Sequence, residues 1–336
     1  MITPSISTTE LYTHIETLIE TDTPLFIHGS PGIGKSYIVA DIAKSKDLEL
    51  VDIRLSQLDP VDLRGIPSIK EDQTVWMPPV FFPKDPDSEG ILFLDELNSA
   101  PPSVQAAIYQ LVLNRQIGEY ILPEKWRIIC AGNRVSDRGV VFRLPTPLAN
   151  RMVHLHLEAK FEDFKRFALK ENLHHFIIGF LGFRPDLLSS EPVVEDDANP
   201  AFATPRSYHM LSNILKATQD IQKIYSIIYG TIGYSAGIEF VSYIKVYETL
   251  PDIAAIYEGH YPEVEMQPAL LYALVSALVE YYDGSEGHKE HLFAFSEKLP
   301  TEFGVMLIKD IIVKDESLAL HEAFEKWLEK YGDYIL

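Results

Sequence analysis

LFIHGSPGIGKS, residues 25–36, decides how the rest of the chain is read. Leu25, Phe26 and Ile27 form a short apolar run of strand type. Gly29, Gly34, Lys35 and Ser36 follow with the spacing G-x-x-x-x-G-K-[ST], a phosphate-binding loop between a strand and a helix. Glycines let backbone N–H groups turn inward around phosphate oxygens, because no Cβ restricts φ. The helix opening at Lys35 adds its positive N-terminal end. The candidate nucleotide-binding residues are therefore Gly29, Ser30, Pro31, Gly32, Ile33, Gly34, Lys35 and Ser36.

Composition limits what surrounds this loop. A chain of 336 residues suggests about two domains. At 46% hydrophobic residues it can build a sizeable core. Its 29 basic and 49 acidic residues give a net charge of −20, which argues against a non-specific binder of nucleic acid or anionic membrane. The single cysteine, Cys130, excludes an internal disulfide and suits a reducing compartment, with the cytoplasm as the expected location. Cys130 lies in an apolar run and is expected in the core. No basic-then-apolar leader is visible at the N-terminus.

Outward from the loop, the chain alternates strands and helices. Ser7 and Glu10 have capping-box spacing ahead of a helix with Leu11, Ile15, Leu18 and Ile19 on one face. Strands are expected near 25–27, 50–53, 91–95, 127–131 and 153–157, and helices over 35–44, 100–114 and 147–151. Residues 55–86 hold six prolines with Trp76, Phe81 and Phe82, and read as an insertion of short pieces. Residues 118–127 read as a hairpin turning near Pro123-Glu124. This alternation predicts an α/β layered domain with a mostly parallel sheet, with nucleotide at the carboxyl ends of its strands.

From Phe161 onward, helical spacing takes over and predicts an all-helical second domain. The apolar stretch 224–238 is too short and too glycine-rich for a membrane span, and is expected to be buried. The acidic run Glu195-Asp196-Asp197 is expected to be a solvated face in a loop.

The chemistry-bearing residues follow the strands. Lys35 is expected to reach the β- and γ-phosphates of ATP, and Ser36 to ligate Mg²⁺. Asp95, ending the apolar run ILFL, is expected to hold the same Mg²⁺, and Glu96 to polarise the attacking water. Asn133 ends the next strand, where its amide suits a place between γ-phosphate and water. Arg151 caps a short helix and is a candidate arginine finger acting on a neighbouring subunit, with Arg143 and Arg138 as competitors. Arg206, after Thr204-Pro205 at a helix start, is a candidate reporter of nucleotide state. His154 and His156 share a strand face, but no third ligand is spaced nearby, so packing is expected.

With these residues placed, the sequence resembles the MoxR-type, dynein-related branch of AAA+ ATPases. LDELNSAPPSVQAAIYQLVLNRQIG (94–118) looks like that branch's segment after its acidic motif, and LDPVDLRGIP (58–67) is similar to the start of its helix-2 insertion. The resemblance covers 24–157. In the helical part it rests on Arg206 and on the stretch 236–256, around EFVSYIKVYETLPDI. It implies a P-loop AAA+ core over 1–158 with a five-stranded sheet in the order 5-1-4-3-2. Within that core it implies a helix-2 insertion at about 58–86 and a pre-sensor hairpin at about 118–127. Residues 159–336 become an all-α lid with a C-terminal extension. It further implies a homo-oligomeric ring, usually a hexamer, with ATP bound between subunits. The implied role is to remodel or activate a protein client, often one with a von Willebrand factor A domain. Where many relatives have proline after the sensor asparagine, this chain has Arg134, followed by a basic loop. The choice between Arg151 and Arg143 stays open there.

Three other readings compete, the weakest a small-molecule kinase, because Asn133, Arg151 and Arg206 suit a ring hydrolase better than phosphoryl transfer to a metabolite. A nucleotide-gated interaction module with little hydrolysis would suit Gln or Ala at position 96, whereas this chain has Glu96. A DNA-directed motor is opposed by the acidity and the lack of an appended DNA-binding motif.

Overall fold

The computed structural model describes residues 4–134, 137, 141–190, 200–218 and 220–334. Arg138 and the run Glu195-Asp196-Asp197 lie outside the described residues. The chain divides into two compact units, Met1–Ala159 and Lys160–Leu336.

The first unit is built on strands β1 (Ser5–Ile6), β2 (Leu25–His28), β3 (Glu49–Arg54), β4 (Ile66–Lys70), β5 (Gln73–Met77), β6 (Gly90–Asp95), β7 (Gln116–Ile117), β8 (Tyr120–Ile121), β9 (Trp126–Gly132) and β10 (Val153–Leu157). Six of them form one sheet in the order β1-β10-β2-β9-β6-β3, with every neighbouring pair parallel. The expected count of five is thus corrected to six. Ser5 pairs with His156 and Ile6 with Leu157, which adds β1 outside β10. Two residues carry no readable period, so this strand is invisible in the sequence.

The helices of this unit are α1 (Thr8–Thr21), α2 (Lys35–Ser45), α3 (Pro60–Arg64), α4 (Pro102–Asn114) and α5 (Thr146–Ala149). Both faces of the sheet are covered. Phe26, Leu92 and Leu94 pack with Val104, Ile108 and Leu111 of α4 on one face. Ile27, Ile91 and Phe93 pack with Leu11, Ile15, Ile38 and Ile42 of α1 and α2 on the other. Alternate residues of β6 therefore meet opposite layers, which is why that strand is apolar at every position from Ile91 to Leu94. The α1 start carries the capping box in full: Ser7 Oγ accepts from Glu10 N, and Glu10 Oε2 accepts from Ser7 N at 2.7 Å.

The insertion contains α3 and the antiparallel hairpin β4–β5. Phe82 is buried and stacks on Tyr120, whereas Trp76 is half-exposed. The second hairpin is shorter than expected and turns elsewhere. Ile117 pairs with Tyr120, so the turn is Gly118-Glu119 rather than Pro123-Glu124. The Arg115 guanidinium explains the shift. It donates to the carbonyls of Pro123, Glu124 and Trp126, fixing that segment as a strap and not a hairpin tip.

The second unit is helical among its described residues: α6 (Phe161–Lys170), α7 (His175–Phe183), α8 (Pro205–Ala217), α9 (Tyr225–Ile232), α10 (Tyr234–Tyr247), α11 (Ile253–Tyr257), α12 (Pro268–Tyr281), α13 (Glu286–Ser296), α14 (Thr301–Lys314) and α15 (Glu322–Tyr331), with short 3-10 turns between some of them. The apolar stretch 224–238 is split between α9 and α10 at Gly233. No helix among the described residues is long and apolar enough to cross a membrane.

Candidate active site

The loop after β2 is held open by its own backbone. Gly32 and Gly34 take φ of +77° and +105°, values that a side chain would strain. Gly34 is the N-cap of α2, so the free N–H groups of that helix face the loop. Lys35 is buried, and its Nζ donates to the carbonyls of Gly29 at 2.5 Å and Ser30 at 3.2 Å. The same ammonium lies 3.3 Å from Asn133 Oδ1, which ties the loop to the end of β9.

The acidic pair stands at the end of β6, two places from β2 in the sheet. Ser36 Oγ donates to Asp95 Oδ2 at 2.9 Å. Glu96 takes a left-handed backbone, φ 58°, which costs a non-glycine residue about 1 kcal/mol. Its carbonyl accepts from Ser99 N and Ala100 N, and its amide donates to Asp95 Oδ1, so the strained turn is held on both sides. Ser56, just past β3, donates its hydroxyl to Glu96 Oε2. Burial, and then the neighbouring Asp95 charge, push the Asp52 carboxyl above its ordinary value, with Arg54 opposing.

Two residues that the sequence reading missed fix the rest. Asn98 is buried; its amide donates to Asn133 O at 2.7 Å and its Oδ1 accepts from Asn133 N at 3.1 Å. A Cβ at Gly132 would come within 2.1 Å of that Oδ1, so the clasp requires glycine before Asn133. Asp137 accepts from Ser30 Oγ at 2.9 Å and from Arg134 N at 2.7 Å, bridging the loop to the segment after β9. Arg134 itself donates to Leu157 O at 2.6 Å. Asn98 lay inside the quoted segment 94–118, but only its contact with β9 gives it a role.

Lys35, Ser36, Asp95 and Asn133 are thus brought together, with Glu96 beside them on Ser56. Arg151 and Arg143 are exposed, and no hydrogen bond joins either side chain to the loop among the described residues. Arg206 is exposed in the first turn of α8, behind the Thr204 N-cap, and belongs to the second unit. The hydroxyl of Ser36 and the carboxylate of Asp95 are hard oxygen donors at hydrogen-bonding separation, which suits Mg²⁺.

Residues 24–154 match the model of the ATPase family associated with various cellular activities (AAA). This stretch is similar to the AAA family of ATPases. It holds the phosphate loop, the acidic pair, Asn133 and Arg151 between its limits. Midasin from Giardia intestinalis is 32% identical over 150 residues, which cover 42% of this chain and 3% of midasin. The chain thus spans a small fraction of that relative's length. Among solved structures, the RuvB Holliday junction branch migration motor of Thermotoga maritima is 16% identical, covers 81% of this chain and 80% of its own, and superposes with a TM-score of 0.38. NtrX from Brucella abortus in complex with ADP is 15% identical, covers 99% of this chain and 70% of its own, with a TM-score of 0.36.

Proposed function

We propose that this chain hydrolyses ATP to ADP and phosphate in a homo-oligomeric ring, and uses the cycle to remodel or activate a client protein as MoxR-type AAA+ proteins do. The observation that carries this reading is the convergence of Lys35, Ser36, Asp95 and Asn133 at the carboxyl ends of β2, β6 and β9. In this reading the loop N–H groups and Lys35 bind the phosphates and offset their charge. Ser36 and Asp95 would hold Mg²⁺, whose charge neutralises phosphate oxygens. Glu96, oriented by Ser56, takes a proton from the attacking water. Asn133, fixed by Asn98, orients that water against the γ-phosphate.

Arg151 supplies transition-state charge to the nucleotide of a neighbouring subunit, and Arg206 reports nucleotide state to the lid. A protein client is supported by the β4–β5 hairpin and its surroundings, where Ile66, Ile69, Met77 and Val80 are exposed. A von Willebrand factor A-type client, six subunits and a cytoplasmic setting follow from the MoxR resemblance and belong to the same proposal.

The test is ATP turnover per subunit against protein concentration, for wild type beside Arg151→Ala. Turnover that climbs with concentration, and collapses in the variant while nucleotide binding survives, supports a shared site. Flat turnover that the variant leaves unchanged removes Arg151 from the site and brings Arg143 forward. No turnover at any concentration defeats the ATPase reading. Lys35→Ala is expected to lose nucleotide binding.

A further inference from the structure

Three histidines in the first unit have no part in the reading above. His28 ends β2 and directly precedes Gly29. On the neighbouring β10, His154 lies opposite Phe26 and His156 opposite His28. Among the described residues no three His, Cys, Asp or Glu side chains form a metal cluster, so the rings call for another account.

Their hydrogen bonds run in one direction. His154 Nε2 lies 2.8 Å from the carbonyl oxygen of Ala149, and His154 Nδ1 lies 2.9 Å from His28 Nε2. A carbonyl only accepts, so His154 carries its proton on Nε2. His154 Nδ1 then accepts and His28 Nε2 donates. His156 stacks on the His28 ring at 4.5 Å with an 8° interplanar angle, which fixes that ring's plane. Burial, then the neighbours His156, His154, Lys35 and Arg134, push His28 down to about 3, so it stays neutral near pH 7.

The far end of this relay is the turn that carries Arg151. Ala149 is the last residue of α5, and its carbonyl is one of the acceptors a helix leaves over at its C-terminus. The turn's other bonds are local: Arg151 N donates to Leu148 O at 3.1 Å, and Met152 N approaches Ala149 O at 3.4 Å. The His154–Ala149 bond fixes that turn to β10, and the His154–His28 bond fixes β10 to the residue before the phosphate loop.

We propose that His154 is a positioning residue, tying the Arg151 turn to His28 so that the phosphate-binding strand of one subunit sets the arginine offered to its neighbour. This rests on the shared-site reading above. It assigns His154 its larger role in the subunit that donates the arginine.

Mixed oligomers test this. Lys35→Ala subunits bind no nucleotide but donate Arg151; Arg151→Ala subunits bind nucleotide but donate nothing. Their mixture is expected to turn over ATP where each alone does not. His154→Phe, which keeps a ring and removes both hydrogen bonds, is then placed in one partner at a time. In the Lys35→Ala partner it is expected to cut turnover about 10-fold or more, the scale of a misplaced transition-state group. In the Arg151→Ala partner it is expected to cost clearly less. His154→Gln, whose amide N–H replaces Nε2–H toward Ala149, is expected to recover most of the loss. Equal losses in both partners, or none in either, overturn the proposal, as does a Gln variant no better than Phe. A parent mixture without turnover overturns the shared site itself, and the role of His154 with it.

Discussion

The hydroxyl of Ser56 meets the same carboxylate that is assigned the proton of the attacking water. A hydrogen bond to one oxygen of Glu96 fixes where the other oxygen lies, and nothing else on the described residues bonds that side chain. Ser56→Ala is therefore expected to lower kcat about 10-fold, the scale of a lost orientation, with nucleotide affinity unchanged. Glu96→Gln is expected to bind ATP and turn over about 10²-fold slower, because an amide cannot take the proton. Phosphate release and fluorescent-nucleotide titration separate the two effects. Turnover of Glu96→Gln equal to wild type would remove the base from position 96, and a Ser56→Ala defect that lies in affinity alone would detach Ser56 from the chemistry. Lys35, Ser36 and Asp95 were legible in the sequence because loop spacing and a strand-ending acid are local signals. Ser56 and Asn98 were not, because each acts on a partner distant in the chain, 40 residues away for Ser56 and 35 for Asn98. Asp137 reaches Ser30 across 107 residues. Only folding brings such pairs together.

At the scale of elements, strong periods and caps were readable and weak turns were not. The Ser7–Glu10 box, the continuous apolar run of β6 and the Thr204 cap of α8 follow from local pattern and appear in the structure. The tip of the β7–β8 hairpin did not, because Arg115 spends its donors on carbonyls that a sequence reading leaves to a Pro-Glu turn. The stretch 224–238 was readable as helix interrupted by glycine, and the structure gives the place of the break. Of its glycines, one sets the break between α9 and α10. Gly233 takes φ +85°, and a Cβ there would approach Ala201 O to 2.7 Å. Gly233→Ala adds left-handed strain to that close approach and is expected to cost the second unit about 1–3 kcal/mol. Chemical denaturation followed by circular dichroism measures it. Gly230 has no heavy atom near its would-be Cβ, and Gly230→Ala is the matched control, expected to be neutral or stabilising in its helix. A Gly233→Ala variant as stable as the control would mean that the α9–α10 junction relaxes freely.

At the scale of the molecule, the chain is two units, each with its own buried core, under a net charge of −20. The second unit was legible as helical but not as to what holds it together. Lys165 on α6 and Asp310 on α14 form an ion pair at 2.7 Å, both side chains about one-tenth exposed. Neither residue stands out in the sequence, since a charge on an otherwise apolar helix face reads as surface. Burial raises Asp310 to about 6; Lys165 opposes the shift and Glu162 adds to it. The folded value thus lies above the ordinary carboxyl value of 3.8. Folding then takes up a proton at this site between the two values. The contribution of Asp310 to stability is full below about pH 4 and is lost as pH rises through about 6. Other carboxylates mask this in a simple pH scan, because most gain stability over the same range. The difference between wild type and Asp310→Asn isolates it, since the amide keeps an acceptor for Lys165 and does not titrate. Wild type is expected to lose stability relative to Asp310→Asn between pH 4 and pH 7 in matched denaturant titrations. A relative gain over that window would mean that the ammonium of Lys165 outweighs burial, and that the pair clamps α6 to α14 as a full ion pair at neutral pH.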